Sequence, residues 1–188
     1  MIQLLLFDVN YLGASPSALV APVIKYAGAK RWLLPLVLPR LHLHLANVSG
    51  TYVEPFFGGG SMGLGIGWSR SVFSDSQPDL VNLYQAVAVD PNQVSEVLEE
   101  LGRRGTDEAT YYEIRREVWP ENRNRISQFE WAARVLYLNA VDFNGLWRVN
   151  KKGQFNVPWG NREGVQMRSR DHIRAVGRVL ASAEIRCA

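Results

Sequence analysis

Two groups of residues in this chain have types and spacing suited to chemistry. The first is Glu54-Pro-Phe-Phe-Gly-Gly-Gly-Ser61, followed further on by Ser71-Val-Phe-Ser-Asp75. Gly58, Gly59 and Gly60 carry no Cβ, so the backbone there can turn sharply and lie close to a ligand. Strand, glycine turn, helix, then a strand ending in a carboxylate is the pattern that holds a nucleotide-like ligand at the carboxyl edge of a parallel sheet. The same glycines would also serve a tight turn that only the fold requires, and the residue types leave both readings open. The second group lies in residues 142–160, where Arg148, Lys151 and Lys152 stand among Asn144, Asn150 and Asn156. Arginine and asparagine read base edges through paired hydrogen bonds, and lysines serve phosphates. The competing reading is an exposed turn whose charges face only water.

A third stretch, Lys25-Tyr-Ala-Gly-Ala-Lys30, puts two lysines around a small-residue turn ahead of an amphipathic segment. It can cap a helix with basic charge, or open room for a ligand lined by lysine and aromatic side chains. His42 and His44 sit in a leucine-rich run without further ligands nearby and read as packing or surface histidines, so no metal is expected. The single cysteine, Cys187, excludes an internal disulfide and a cysteine metal cluster, and fits a reducing, cytoplasmic setting. The apolar opening Met1-Ile-Gln-Leu-Leu-Leu-Phe-Asp8 is too short to span a bilayer, and no membrane association is expected. Apolar residues at 47% and charged residues at 21% are ordinary for a folded protein. A net charge of +3 and an isoelectric point near 9.2 are compatible with a nucleic-acid partner without requiring one.

The elements that must position these residues alternate between strand and helix. Residues 1–22, with Gly13, Pro16 and Pro22, read as a loosely ordered leader. Leu33, Leu34, Val37 and Leu41 give a helix one apolar face. A strand at 51–53, a short helix at 61–68 and a strand at 71–75 follow. Helical spacing then recurs over 78–89, 91–102, 110–119 (stopped by Pro120) and 126–139, and these helices read as an insertion between sheet strands. Lys151-Lys152-Gly153, flanked by aromatic and β-branched residues, predicts a β-hairpin. A basic helix over 169–180 and a strand over 183–187 complete the sequence. Three strands are few for a parallel sheet.

Taken together, these stretches resemble one family, the Dam-like adenine-specific DNA methyltransferases. Lys25 to Lys30 is similar to the family's Lys-Trp-Ala-Gly-Gly-Lys segment, with Tyr26 for Trp and Ala29 for the second Gly. Glu54 to Ser61 resembles its methyl-donor loop, and Ser74-Asp75 with Pro78-Asp79-Leu80 and Asn82-Leu83-Tyr84 its following acidic segment. Tyr111-Tyr112 with Arg115, and Leu136-Tyr-Leu-Asn139, also fit. The most specific match is Phe143-Asn-Gly-Leu146 through Arg148, Asn150, Gly153 and Phe155-Asn-Val-Pro158, which resembles the family's target-recognition hairpin. The resemblance covers residues 23–187.

What the resemblance implies is an α/β fold: a Rossmann-like methyltransferase half-sheet with a helical and β-hairpin target-recognition insertion. It divides the chain into the leader, a donor-binding part over 23–88, the insertion over 89–168, and a returning helix and strand over 169–188. It implies S-adenosyl-L-methionine as cofactor, held by Lys25, Tyr26, Lys30, Phe56, Phe57, Gly58, Gly59, Gly60, Ser61 and Asp75, with Asp75 accepting the ribose hydroxyls. Double-stranded DNA would be contacted by Lys25, Asn144, Leu146, Arg148, Lys151, Lys152 and Pro158. Arg148 suits a guanine edge, and Leu146 or Pro158 a thymine methyl.

The sequence departs from the family in one respect. The family's catalytic Asp-Pro-Pro-Tyr box stacks on a flipped adenine and accepts hydrogen bonds from its amino group, and base flipping needs such a pocket. No Pro-Pro pair occurs in these 188 residues, and Asp90-Pro91 lies between helices. The expectation is therefore a split adenine methyltransferase, with a second chain supplying the box and the remaining strands in a hetero-oligomer. A non-catalytic DNA-binding derivative, or a truncated inactive copy, is the alternative.

Overall fold

The computed structural model describes residues 19–45, 49–118 and 125–187. The expected leader over 1–22 lies almost wholly outside these residues, as do the helix stop at Pro120 and the side chains of His42 and His44. Within the described residues, three strands form one parallel sheet in the order β1 (Tyr52–Glu54), β2 (Ser71–Asp75), β3 (Ala183–Cys187). Val53 pairs with Val72, and Val72 with Glu184. This is the order of one wing of a doubly wound sheet, with β1 at one edge and the ligand crevice expected at its carboxyl end.

The described residues form seven α-helices: α1 (Leu34–Leu45), α2 (Ser61–Ile66), α3 (Pro78–Val89), α4 (Pro91–Arg104), α5 (Glu108–Val118), α6 (Gln128–Val141) and α7 (Arg170–Leu180). The sequence marks their starts. Pro78 and Pro91 occupy first-turn positions where a missing N–H costs nothing. Asp90 accepts from the amides of Asn92 and Gln93, Ser127 and Glu130 form a capping box, and Ser169 accepts from His172 N. In α1, Leu34, Val37, Leu38 and Leu41 share the inward face, and Leu34 and Leu38 pack with Ile66 of α2.

The helices of the expected insertion share one core with the sheet. Val94, Leu98 and Leu101 of α4 and Tyr111 and Ile114 of α5 bury their spaced apolar faces around α6, and Ile173, Val176 and Leu180 of the returning helix α7 join the same core from α3 and α4. In α6, Ala132, Ala133, Val135, Leu136, Tyr137, Leu138 and Val141 are all buried, so this helix is apolar nearly all round and central. It packs on α3 and α4, and α7 packs on the same two helices. The burial pattern of the sheet is uneven. Phe73 of β2 is fully buried on the side of the helices, while on the opposite face Val53 is 58% exposed and Glu184 and Arg186 are exposed.

Residues 142–160 form an antiparallel arm rather than a regular hairpin. Only Asp142 with Trp159 and Val149 with Phe155 make bridges. Two features interrupt the ladder: Asn144 and Gly145 both take positive φ (61° and 66°), and Pro158 has no N–H to give. No helix among the described residues is long and apolar enough to cross a membrane.

The crossing of α7 over the start of α4 depends on one glycine. A Cβ at Gly177 would stand 2.9 Å from the carbonyl oxygen of Val87 and 3.0 Å from Pro91 Cγ. Helix propensity favours Gly177→Ala by about 1 kcal/mol, whereas overpacking against backbone costs about 1–3 kcal/mol. Urea denaturation of the G177A variant is expected to show a net loss of stability, and a gain would mean that the helices separate freely.

Candidate functional site

The glycine loop is held from both sides of its backbone. After β1, Phe57 turns its ring inward, stacked on Phe73 at 4.2 Å between centroids and edge-on to Tyr84 at 4.8 Å. Gly58 then donates its N–H to Asp75 Oδ2 (2.8 Å), and its carbonyl accepts from the Tyr84 hydroxyl (3.1 Å). Asp75 Oδ1 accepts from Gln77 N at 2.9 Å, so both carboxylate oxygens serve the loop and the start of α3 while keeping further lone pairs. Tyr26 lies across the loop. A Cβ at Gly59 would meet Tyr26 Cβ at 3.0 Å, which is why a residue without one stands there.

Tyr26, Lys30, Glu54, Phe56, Gly58 and Ser61 are among the residues lining a cavity of about 130 Å³ over this loop. Ser61 also lines it, and its hydroxyl oxygen is buried with no hydrogen-bond partner among the described residues. Phe56 at the rim is 89% exposed, and Lys30 Nζ donates to Gly28 O (2.5 Å). Burial pushes the Glu54 carboxyl up to about 7, against hydrogen bonds from Tyr52 and the Gly63 amide. Asp75 stands behind the loop rather than on the cavity wall.

The second group of residues is carried on the arm. Its return limb is buried at Phe155 and Val157, and the carbonyl of Val157 accepts from Tyr111 Oη (2.8 Å) and Arg115 Nη1 (3.1 Å) of α5. Trp159 Nε1 donates to Thr106 O at 3.0 Å. Asn144, Leu146, Arg148, Lys151, Lys152 and Pro158 are all exposed on this anchored arm. Arg148 Nε donates to Asn156 Oδ1 (2.8 Å), and Asn150 Oδ1 accepts from the amides of Lys152 and Gln154 and shapes the tip.

Lys25 joins the two regions, through a residue to which sequence reasoning gave no role. Asn139 of α6, 2% exposed, accepts from Lys25 N (2.8 Å) and donates to Lys25 O (2.9 Å) and Gly145 O (3.1 Å). The signal was an amide on an otherwise apolar helix face, which a buried polar group can occupy only if it is hydrogen-bonded. The Asn144-Gly145 pair, a strong tight-turn signal, was equally legible.

Asp142 is the second buried polar residue here, at 0% exposure. Burial pushes its carboxyl up to about 8, opposed by the amides of Gly145 and Leu146 and the charges of Lys25 and Arg162. An ordinary aspartate has a pKa of about 3.9, so from about pH 4 to about pH 8 the unfolded chain loses a proton that the folded chain keeps. Stability contributed by this group therefore falls as pH rises through that window and is flat above it. Asp142→Asn is expected to gain at least about 1 kcal/mol more stability at pH 8 than at pH 5, since one pKa unit is worth about 1.4 kcal/mol. Thermal melts at the two pH values check this, and an equal effect at both would contradict it.

Comparison with known proteins gives the family. A family model described as D12 class N6 adenine-specific DNA methyltransferase matches residues 26–188. The type II methyltransferase M1.LlaDCHI of Lactococcus lactis subsp. cremoris is 32% identical over 168 residues, covering 88% of this chain and 56% of that protein. The type II methyltransferase M.MjaIII of Methanocaldococcus jannaschii is 31% identical over 180 residues, covering 89% and 62%. The DNA adenine methylase of Escherichia coli strain K12 is 36% identical over 138 residues, covering 73% and 46%. The chain thus spans about half the length of the curated relatives it matches. By the extent of the family match and these identities, the chain belongs to the D12 class of N6 adenine-specific DNA methyltransferases.

Proposed function

We propose that these residues form the donor-binding and target-reading part of an adenine-specific DNA methyltransferase, with the Asp-Pro-Pro-Tyr box supplied by a second chain. The observation that carries this reading is the placement of the glycine-loop cavity and the basic arm on either side of Lys25-Tyr26, joined through Asn139. S-adenosylmethionine, when bound, would supply an electrophilic methyl that the adenine amino nitrogen takes, the carbon–sulfur bond breaking and the nitrogen losing a proton.

The chain's own residues suit that donor. Tyr26 and the exposed ring of Phe56 offer apolar walls for an adenosine, and Gly58 to Gly60 let the backbone come close. The unpartnered Ser61 hydroxyl is a polar group that a ligand would satisfy, and Lys30 can be drawn from the Gly28 carbonyl to an anionic group. The free lone pairs of Asp75 would accept ribose hydroxyls only if the loop opens toward it. Positioning and removal of water from the reacting atoms are the protein's contribution.

Support for a covering chain comes from the sheet. Parallel sheets are covered on both faces, yet Val53 is 58% exposed and β1 has a free edge among the described residues. In the doubly wound order the next strand joins at that edge. Calorimetry with S-adenosylhomocysteine is expected to show binding to this chain, strengthened by a box-bearing chain. Methylation of an adenine-containing duplex is expected only when both are present. Methylation by these residues unaided would overturn the split reading, and duplex binding without donor binding would point to a non-catalytic DNA-binding protein.

On the arm, Arg148 and the tip lysines divide the work. Arg148 is oriented by Asn156 and would read a base edge, and Lys151 and Lys152 would meet phosphates. Arg148→Ala is expected to cost about 1–3 kcal/mol of discrimination at one base pair. Replacing both lysines by alanine should weaken binding to all sequences alike and lower the salt slope by about 2. Competition titrations at several salt concentrations separate the two effects, and a uniform loss for R148A would exclude base reading by that residue.

A further inference from the structure

We infer that Asn139 is a positioning residue that couples donor binding to target binding, by fixing Lys25-Tyr26 against the arm. The inference rests on the proposed function and adds to it a device that lies outside both sites. Asn139 is 2% exposed, and its amide spends its oxygen and its nitrogen on three backbone groups. Two of those belong to Lys25 and the third to Gly145, the second residue of the positive-φ turn that presents Asn144.

Holding both the N–H and the carbonyl of Lys25 fixes the peptide planes on either side of it, and with them the directions of two neighbouring side chains. Tyr26 goes to the glycine loop, where it leaves no room for a Cβ at Gly59. Lys25 goes to the arm, its stem lying so close that a Cβ at Gly145 would meet Lys25 Cδ at 2.5 Å and Cβ at 2.6 Å. The segment just before is strapped to the core as well, Arg168 Nε donating to Val23 O (2.8 Å) and His172 Nε2 lying 2.8 Å from Ala21 O. Freedom at residues 25 and 26 is therefore limited by Asn139 on one side and by these straps on the other.

A ligand that orders Tyr26 in the cavity consequently orders Lys25 and the Asn144-Gly145 turn, and DNA that orders the arm orders the cavity wall. Each ligand then binds to a protein whose conformational freedom the other has already reduced, which is positive coupling without a large movement. Linkage makes the effect reciprocal, so it can be read from either side.

The experiment measures the affinity of S-adenosylhomocysteine for the 188-residue chain by calorimetry, without duplex and with a saturating target duplex. The parent chain is expected to bind the donor product about 5-fold or more tightly in the presence of DNA, a coupling in the usual range. Asn139→Ala removes all three hydrogen bonds and is expected to bring that ratio close to one. Gly145→Ala leaves α6 intact but drives Lys25 from the turn, and is expected to do the same. Should N139A fail to fold, G145A decides the matter alone. A purely structural role for Asn139 would lower the melting temperature and leave the ratio unchanged, which overturns the inference. A parent chain that binds both ligands with a ratio of one also overturns it, while the proposed function stands. A parent chain that binds neither ligand removes the proposed function and this inference with it.

Discussion

Gly58 has both of its backbone groups committed, and the organisation of this half-sheet follows from that. Its N–H is held by the carboxylate that ends β2, and its carbonyl by the Tyr84 hydroxyl of α3. The stack of Phe57 on Phe73 and its edge-on contact with Tyr84 hold the loop against both partners. A glycine-rich loop left to itself loses more backbone entropy on ordering than any other segment. Here a charge-assisted hydrogen bond and a buried aromatic cluster offset that loss, and the loop arrives already shaped. Anything that binds over it meets a formed surface.

That requirement explains why the acid at the end of β2 stands behind the loop. A carboxylate facing an empty cleft would be solvated and would fix nothing. Accepting from Gly58 N and Gln77 N, it ties strand, loop and α3 together before any ligand arrives. The sequence pattern of a strand ending in an acid is thus satisfied first by the fold.

Much of this was legible in the residues. Periodicity located the seven helices to within a few positions, and β3 was read over 183–187, where it lies. Helix and strand boundaries obey local rules of spacing, capping and proline placement, so they can be read locally. The site was read less completely, for a physical reason. Its residue types pointed to the glycine loop and the basic arm, but their proximity is set by Asn139 bonding to residue 25, far away in sequence, and no local pattern carries such a contact. The turn signal at Lys151-Lys152-Gly153 located the antiparallel arm, while the breaks in its ladder at Pro158 and the left-handed Asn144 emerge only in the folded chain. Phe57 shows the same limit: its neighbour Phe56 is exposed and it is buried, a distinction invisible in a Phe-Phe pair until Phe73 is found to stack on it.

The arm also shows how two kinds of basic residue differ once placed. Lys151 and Lys152 stand at a tip whose shape comes from the Asn150 side chain, and their own chains remain free to sample many rotamers. Such freedom is costly for a directed hydrogen bond and nearly harmless for attraction to a polyanion, whose charge is spread along the backbone. Arg148 has part of that freedom already removed by Asn156, whose Oδ1 accepts from Nε (2.8 Å) and whose backbone carbonyl accepts from Nη2 (3.4 Å). A planar fork held in this way loses less entropy on pairing with two acceptors in one plane. The arm's rigidity at the base, where Val157 is tied to α5, and its order at Arg148 serve the same end, because a base edge can be read only by a donor pair that stays in register with it. Specificity under the proposed reading therefore originates in the protein core, through α5 and α6, and only its last step takes place on the surface.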